Sequence, residues 1–136
     1  MSLFQLTYQS KAVSHLNLQD LENILNTAKN INSEHNITGC LVFYNGNFVQ
    51  ILEGDEVSVK KIYSNIVSDK RHHSINLLWE CETNERFFND WNMGYYTPTE
   101  DESLFVSNYK LLSSLSDKSQ GILLSFWSAV DRALIV

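Results

Sequence analysis

The sequence predicts an α+β fold: a ferredoxin-like β-α-β-β-α-β-β sheet with two helices on one face and two C-terminal helices packed on the other. Three observations lead there. Short apolar stretches of strand character interleave with two longer stretches whose apolar residues recur at helical spacing. Asn45-Gly46, between two strand-like runs, is the strongest two-residue hairpin signal. Beyond Pro98 the pattern becomes helical throughout.

The elements follow in order. Leu3 to Tyr8 alternates, with Phe4, Leu6 and Tyr8 on the apolar face, so Tyr8 falls near the C-terminal end of a first strand. Gln9 to Leu16 reads as a polar loop. Asn17 caps a helix with Asp20 in its first turn, and Leu18, Leu21, Ile24, Leu25, Ala28 and Ile31 give its stripe. Asn32 follows on or beside the buried face. Ile37 to Tyr44 and Asn47 to Leu52 are the hairpin strands, and Gln50 shares a face with Phe48 and Leu52. Asp55 caps a second helix carrying Val59, Ile62, Tyr63 and Ile66, and Ser68 to His73 is its exit loop. Ser74 to Cys81 is a fourth strand, Glu82 to Asp90 a loop, and Trp91 to Tyr96 a fifth strand ended by Pro98. Residues 1–98 form one domain. Residues 99–136 form a helical extension too short to be another, with Leu104, Phe105, Leu111, Leu112 and Leu115 on one helix. Ser116 can cap the next, whose stripe is Leu123, Phe126, Trp127, Val130 and Leu134.

Composition narrows the function classes. With 136 residues, 43% of them hydrophobic and 19% charged, the chain describes one ordinary globular domain. A net charge of -6 disfavours nucleic acid and anionic membranes as partners. The N-terminus lacks a signal peptide's pattern, no apolar run reaches membrane length, and Cys40 and Cys81 read as core thiols of a reducing cytoplasm.

Tyr8, Asn32 and Gln50 are polar groups at apolar places on three different elements. In the predicted fold they converge between the two helices, as a flat heteroaromatic ligand would need: apolar walls for its faces and a few partners for its edge. Three separately satisfied buried polar residues would leave the same pattern. The residues alone leave both readings open. Arg71-His72-His73 reads as a solvated turn with one side chain helping a ligand's polar edge. Adjacent histidines do not aim two rings at one metal, so no metal site is expected. Gly39, Gly46 and Gly54 are turn or packing glycines outside any phosphate-binding motif, and no Ser-His-Asp arrangement is present. Trp91 and Met93 share a strand face, which by itself means plain core.

Read together, the ordered segments Leu6-Thr7-Tyr8-Gln9-Ser10, Asn32 with Asn36-Ile37-Thr38-Gly39, Phe48 to Gly54, Asp69-Lys70-Arg71-His72, Arg86-Phe87 and Trp91-Asn92-Met93 resemble the BLUF family of blue-light sensors, which bind FAD non-covalently. The match runs over roughly Leu3 to Met93. The resemblance implies that Tyr8, Asn32 and Gln50 contact the flavin, with Ile24 and Ile37 as apolar walls and Arg71 near its pyrimidine edge. It implies that Tyr8 and Gln50 are photoactive and that Ser10, Trp91 and Met93 switch. No catalytic residue of an enzyme is implied. The 43 residues after Met93 are too few for a cyclase, phosphodiesterase or DNA-binding domain, so output is expected through an unknown downstream protein or a homo-oligomer. Two rivals are an acylphosphatase-like hydrolase, which would need an arginine that Gln9 to Leu16 lacks, and a flavin-free interaction module.

Overall fold

The computed structural model describes residues 3–88, 93–96, 126–128 and 130. Among these the order is β1 (Leu3–Ala12), α1 (Leu18–Glu34), β2 (Thr38–Tyr44), β3 (Asn47–Gly54), α2 (Glu56–Val67), β4 (His72–Thr83) and β5 (Gly94–Tyr96). They build one sheet in the order β4-β1-β3-β2-β5, antiparallel except for the parallel β2–β5 pair.

Local chemistry explains each boundary that matters. At the start of α1, Asn17 accepts from the Asp20 amide while the Asp20 carboxylate accepts from the Asn17 amide, a reciprocal capping box. At its end Asn36 adopts φ 55°, and the Ile37 amide reaches back to the Asn32 carbonyl at 2.8 Å. This left-handed stop therefore fixes Asn32 three positions before the helix cap. The hairpin turn is as expected, with φ 52° at Asn45 and 76° at Gly46. Gly39 is required where β2 meets β3, because a Cβ there would collide with the Ile51 carbonyl oxygen.

Several strand ends differ from expectation: β3 continues through Gly54, and β5 begins at Gly94, so Met93 precedes the strand instead of lying in it. β1 runs on through Ala12, so Tyr8 is mid-strand and part of the expected Gln9 to Leu16 loop is paired to β3 and β4. Ladder bonds are backbone bonds, so a polar stretch pairs as well as an apolar one. β4 likewise begins at His72 rather than Ser74 and continues through Thr83, with two register irregularities against β1. Ser74 at φ 56° lies in one of them, a conformation typical of a β-bulge.

The sheet separates two cores. Phe4, Leu6, Tyr8, Leu41, Phe48, Leu52 and Met93 pack with Leu21 of α1 and with Val59 and Ile62 of α2. Cys40, Val42, Val49, Ile51, Leu78 and Phe88 form the core behind, joined by Phe126, Trp127 and Val130 from the helical residues near the C-terminus. Both expected layers are thus present. Trp91 of the expected fifth strand, and the expected helix around Leu104 to Leu115, lie outside the described residues.

Candidate functional site

A half-open cleft of about 140 Å³ lies between α1, α2 and the sheet. Its walls are aliphatic and aromatic, among them Ile24, Ile31, Leu41, Phe48 and Ile66. Its polar groups come from β1, α1, β3, α2 and the α2–β4 region, and include Tyr8, Asn32, Gln50, Asn65, Asp69, Arg71 and His72. A slot with apolar faces and convergent hydrogen-bonding groups is the general form of a small-molecule site.

Tyr8 and Gln50 are directly opposite each other in the β1–β3 ladder. Residues opposed in this way share a face, which brings their side chains together. The Tyr8 hydroxyl donates to Gln50 Oε1. Gln50 Nε2 donates in turn to Met93 Sδ at 3.3 Å. The carboxamide thus uses its acceptor end toward β1 and its donor end toward β5. Burial is nearly complete, with Tyr8 at 3%, Gln50 at 4% and Met93 at 2% exposure. Burial, reinforced by Tyr63 and Asp69, pushes the Tyr8 hydroxyl far above the ordinary tyrosine range, so Tyr8 is a neutral phenol whenever the protein is folded near neutral pH.

Asn32, at 1% exposure, and Ile24 line the cleft from α1. Arg71 lines its rim and is bound to Asp69 through Nε at 2.9 Å. That hydrogen-bonded pairing holds the Asp69 carboxyl below its usual range. Ser10 lies two residues beyond Tyr8, 2.7 Å from His72 Nδ1 through its hydroxyl. Ile37 is fully buried in the same core, yet it packs over Gly54 and does not line the cleft. Trp91 lies outside the described residues.

Asn65 was not singled out in the sequence, and His72 entered only as part of the Arg71-His72-His73 turn and the Asp69-Lys70-Arg71-His72 segment, with no role of its own. His72 Nε2 lies 2.6 Å from the Ile66 carbonyl. A carbonyl only accepts, so Nε2 carries the proton and, in the neutral ring, Nδ1 accepts from the Ser10 hydroxyl. The ring also stands edge-on to Tyr8 and Phe48. Asn65 was legible in principle, being three residues from Ile62 on the same helix face. His72 becomes legible only once β4 is known to begin there.

The family model described as "Sensors of blue-light using FAD" matches residues 3–94. The chain belongs to the BLUF family. Among BLUF relatives, the photoactivated adenylate cyclase subunit beta of Euglena gracilis is 36% identical over 93 residues, 68% of this chain but 11% of that protein. The blue light- and temperature-regulated antirepressor BluF of Escherichia coli is 35% identical over 86 residues, 62% of this chain and 21% of that protein. This chain therefore spans only a small part of those curated relatives. Solved BLUF structures match it nearly end to end. BlrB in its dark state superposes with a TM-score of 0.85 at 25% identity, covering 98% of both chains. BlsA in its photo-activated state gives 0.83 at 28% identity, covering 98% of this chain and 96% of that one.

BLUF domains use FAD, and the residues present fit a flavin. The cleft is lined by aliphatic side chains suited to a flat ring, and its amide, guanidinium and hydroxyl groups complement the ring's heteroatom edge. Region 3–94 is accordingly a blue-light sensor domain. Among the described residues no helix is long and apolar enough to cross a membrane, and no cluster could hold a metal ion.

Proposed function

We propose that this BLUF domain is switched through Tyr8, Gln50 and Met93, and that it signals through β5 and the C-terminal helices to a partner protein. The observation that carries the reading is the Gln50 carboxamide, joined to Tyr8 at one end and to Met93 at the other. When bound, FAD supplies a light-excited one-electron oxidant. Tyr8 is the adjacent donor, and an oxidised phenol is strongly acidic, so it gives up its electron together with its hydroxyl proton. Gln50 Oε1, already accepting from that hydroxyl, is the group placed to take the proton. Return of both to Tyr8 leaves the carboxamide rearranged, by rotation or by tautomerisation, with donor and acceptor ends exchanged.

The exchange changes what Gln50 offers Met93. A thioether is only a weak acceptor, so an oxygen in place of the amide nitrogen leaves the sulfur without its donor. Met93 and the strand it leads into are the element biased by the switch. Asn32 and Arg71 would hold the flavin's polar edge and Ile24 one face, with Ile37 backing the wall from the core. Ser10 would couple β1 to His72, and Trp91 belongs to the same switching segment. Residues 99–136 act with the sensor rather than as a separate domain, a reading supported by Phe126, Trp127 and Val130 packing behind the sheet. We infer a homo-oligomer and a cytoplasmic setting, the latter supported by cysteine usage, with Cys40 buried in the core and Cys81 half-buried.

The test is an absorption spectrum of the purified FAD-loaded protein. Blue light is expected to red-shift the flavin band reversibly. Tyr8→Phe and Gln50→Leu are expected to keep the flavin and lose the shift. A normal photocycle in both variants rejects the mechanism, and a protein that takes up no flavin favours the interaction-module reading instead.

A further inference from the structure

Glu53 is the one carboxylate among the fully buried side chains of the described residues, and the photochemistry makes no use of it. It lies three residues past Gln50 in β3, hence on the opposite face of the sheet. Its Oε1 accepts from the Phe88 amide at 3.0 Å and from the Thr38 hydroxyl at 3.0 Å. Its Oε2 accepts from the Phe87 amide. Arg86 closes the arrangement without a direct ion pair: Nη1 donates to Thr38 Oγ1 at 2.9 Å and to the Glu53 carbonyl at 3.1 Å, and Nη2 donates to the Asn36 carbonyl at 2.9 Å. Burial raises the Glu53 carboxyl above its usual range, opposed by these hydrogen bonds and by the Arg86 charge.

Every strong contact of this carboxylate goes either to its cross-strand neighbour Thr38 or to the backbone just after Arg86. That backbone is the stretch from which the chain returns to the sheet as Met93 and β5. A buried carboxylate is costly unless its lone pairs are filled, and here two of the filling groups are main-chain amides of a segment with no regular structure of its own. We propose that Glu53 is a positioning residue: by clamping the backbone at Phe87 and Phe88 it holds Met93 against Gln50. The proposal rests on the reading of Gln50 and Met93 as the switch. Relaxation after light must bring the sulfur back to the Gln50 donor, and a clamped segment presents it at high effective concentration. With the clamp released, the return slows.

The experiment uses the full FAD-loaded chain and compares wild type with Glu53→Gln, Thr38→Val and Leu78→Ala. Glutamine keeps the shape, but either orientation of its amide sets N–H groups against N–H or O–H donors. Thr38→Val removes one donor and leaves both main-chain donors. Leu78→Ala weakens the core on the same side, in which Phe88 also packs, while leaving every hydrogen bond of the clamp in place. For Glu53→Gln the expectation is a light-induced shift of unchanged size and recovery slowed by about tenfold. Amide hydrogen exchange at Phe87, Phe88 and Met93 to Tyr96 is expected to rise by about tenfold, as loss of a charged acceptor implies. Leu78→Ala is expected to melt earlier while both readouts stay near wild type. The proposal is overturned if Glu53→Gln leaves exchange over Met93 to Tyr96 and recovery unchanged, or if Leu78→Ala moves them equally. If Glu53→Gln does not fold, Thr38→Val carries the same readouts with smaller changes in the same direction. If wild type shows no red shift, the switch reading fails, and the exchange contrast still decides whether Glu53 holds the segment.

Discussion

The bond between Tyr8 and Gln50 makes a quantitative prediction about stability that is independent of light. Both groups are buried, so removing one partner strands the other. Gln50→Leu leaves the Tyr8 hydroxyl without an acceptor, and Tyr8→Phe leaves Gln50 Oε1 without its donor. Each orphaned group costs about 1–3 kcal/mol, and neither substitution opens a large cavity, since leucine and phenylalanine nearly match the volumes they replace. Removing both partners leaves nothing orphaned at this bond, so the double variant is expected to be no less stable than the worse single one. A double-mutant cycle should therefore return a coupling of about 1–3 kcal/mol. Urea unfolding at one fixed excess of FAD is the assay, because ligand linkage otherwise enters the comparison. In a thermal scan each single variant should melt roughly 3–15 °C below wild type, at about 3–5 °C per kcal/mol for a chain of this size. Strictly additive losses would show that the two side chains are not bonded in the folded protein.

Other expectations follow from single contacts. Gly39→Ala drives a methyl group into the Ile51 carbonyl and should separate β2 from β3, lowering the melting temperature by more than about 5 °C, while the exposed Gly46 offers no such collision. Met93→Leu removes the sulfur that accepts from Gln50 Nε2; it should keep the flavin and alter the recovery rate, measured as absorbance after a blue flash. The Asp69 carboxyl, held below its usual range by Arg71, contributes stability above the unfolded value near pH 3.9 and loses it as pH falls through the lower folded value. Asp69→Asn should thus differ from wild type by less than about 1 kcal/mol at neutral pH, as partly exposed pairs do, and the difference should vanish in acid unfolding curves.

Much of this was legible because the polar exceptions sit at regular positions. Gln50 interrupts an apolar strand face, Tyr8 closes an alternating run, and Asn32 follows a helical stripe; each is buried as its pattern implies, although β1 itself runs on past Tyr8. Strand ends were less legible, since pairing through Gln9 to Ala12 uses backbone groups that carry no side-chain signature. Bulges hid more. The irregularity opposite Thr7 and Tyr8 breaks the alternation of β4, so Leu77 is 41% exposed while Leu78 and Trp79 both pack into the rear core. Glu53 was invisible for a different reason. In the sequence it is a charged residue at a strand end, and it is buried only because Phe87 and Phe88, more than thirty residues later, fold over it.

The two faces of the sheet are closer than the chain order suggests. Tyr8 lines the cleft, while Thr7, its neighbour in β1, accepts on the opposite face from Trp127 Nε1 at 3.2 Å. Trp127 stands edge-on to Phe88 at 5.7 Å, and Phe88 is tied by its amide to Glu53. Under the proposed switch, a displacement at Gln50 has two short physical routes to the rear core: along β1 from Tyr8 to Thr7, and through Met93 to the segment that Glu53 is proposed to clamp. The routes differ in their pairing, since β1 is paired on both sides and, among the described residues, β5 is paired on one side, to β2 at three positions. A strand held by fewer ladder bonds moves at lower cost. The Met93 side is therefore where a rearranged carboxamide meets the least resistance.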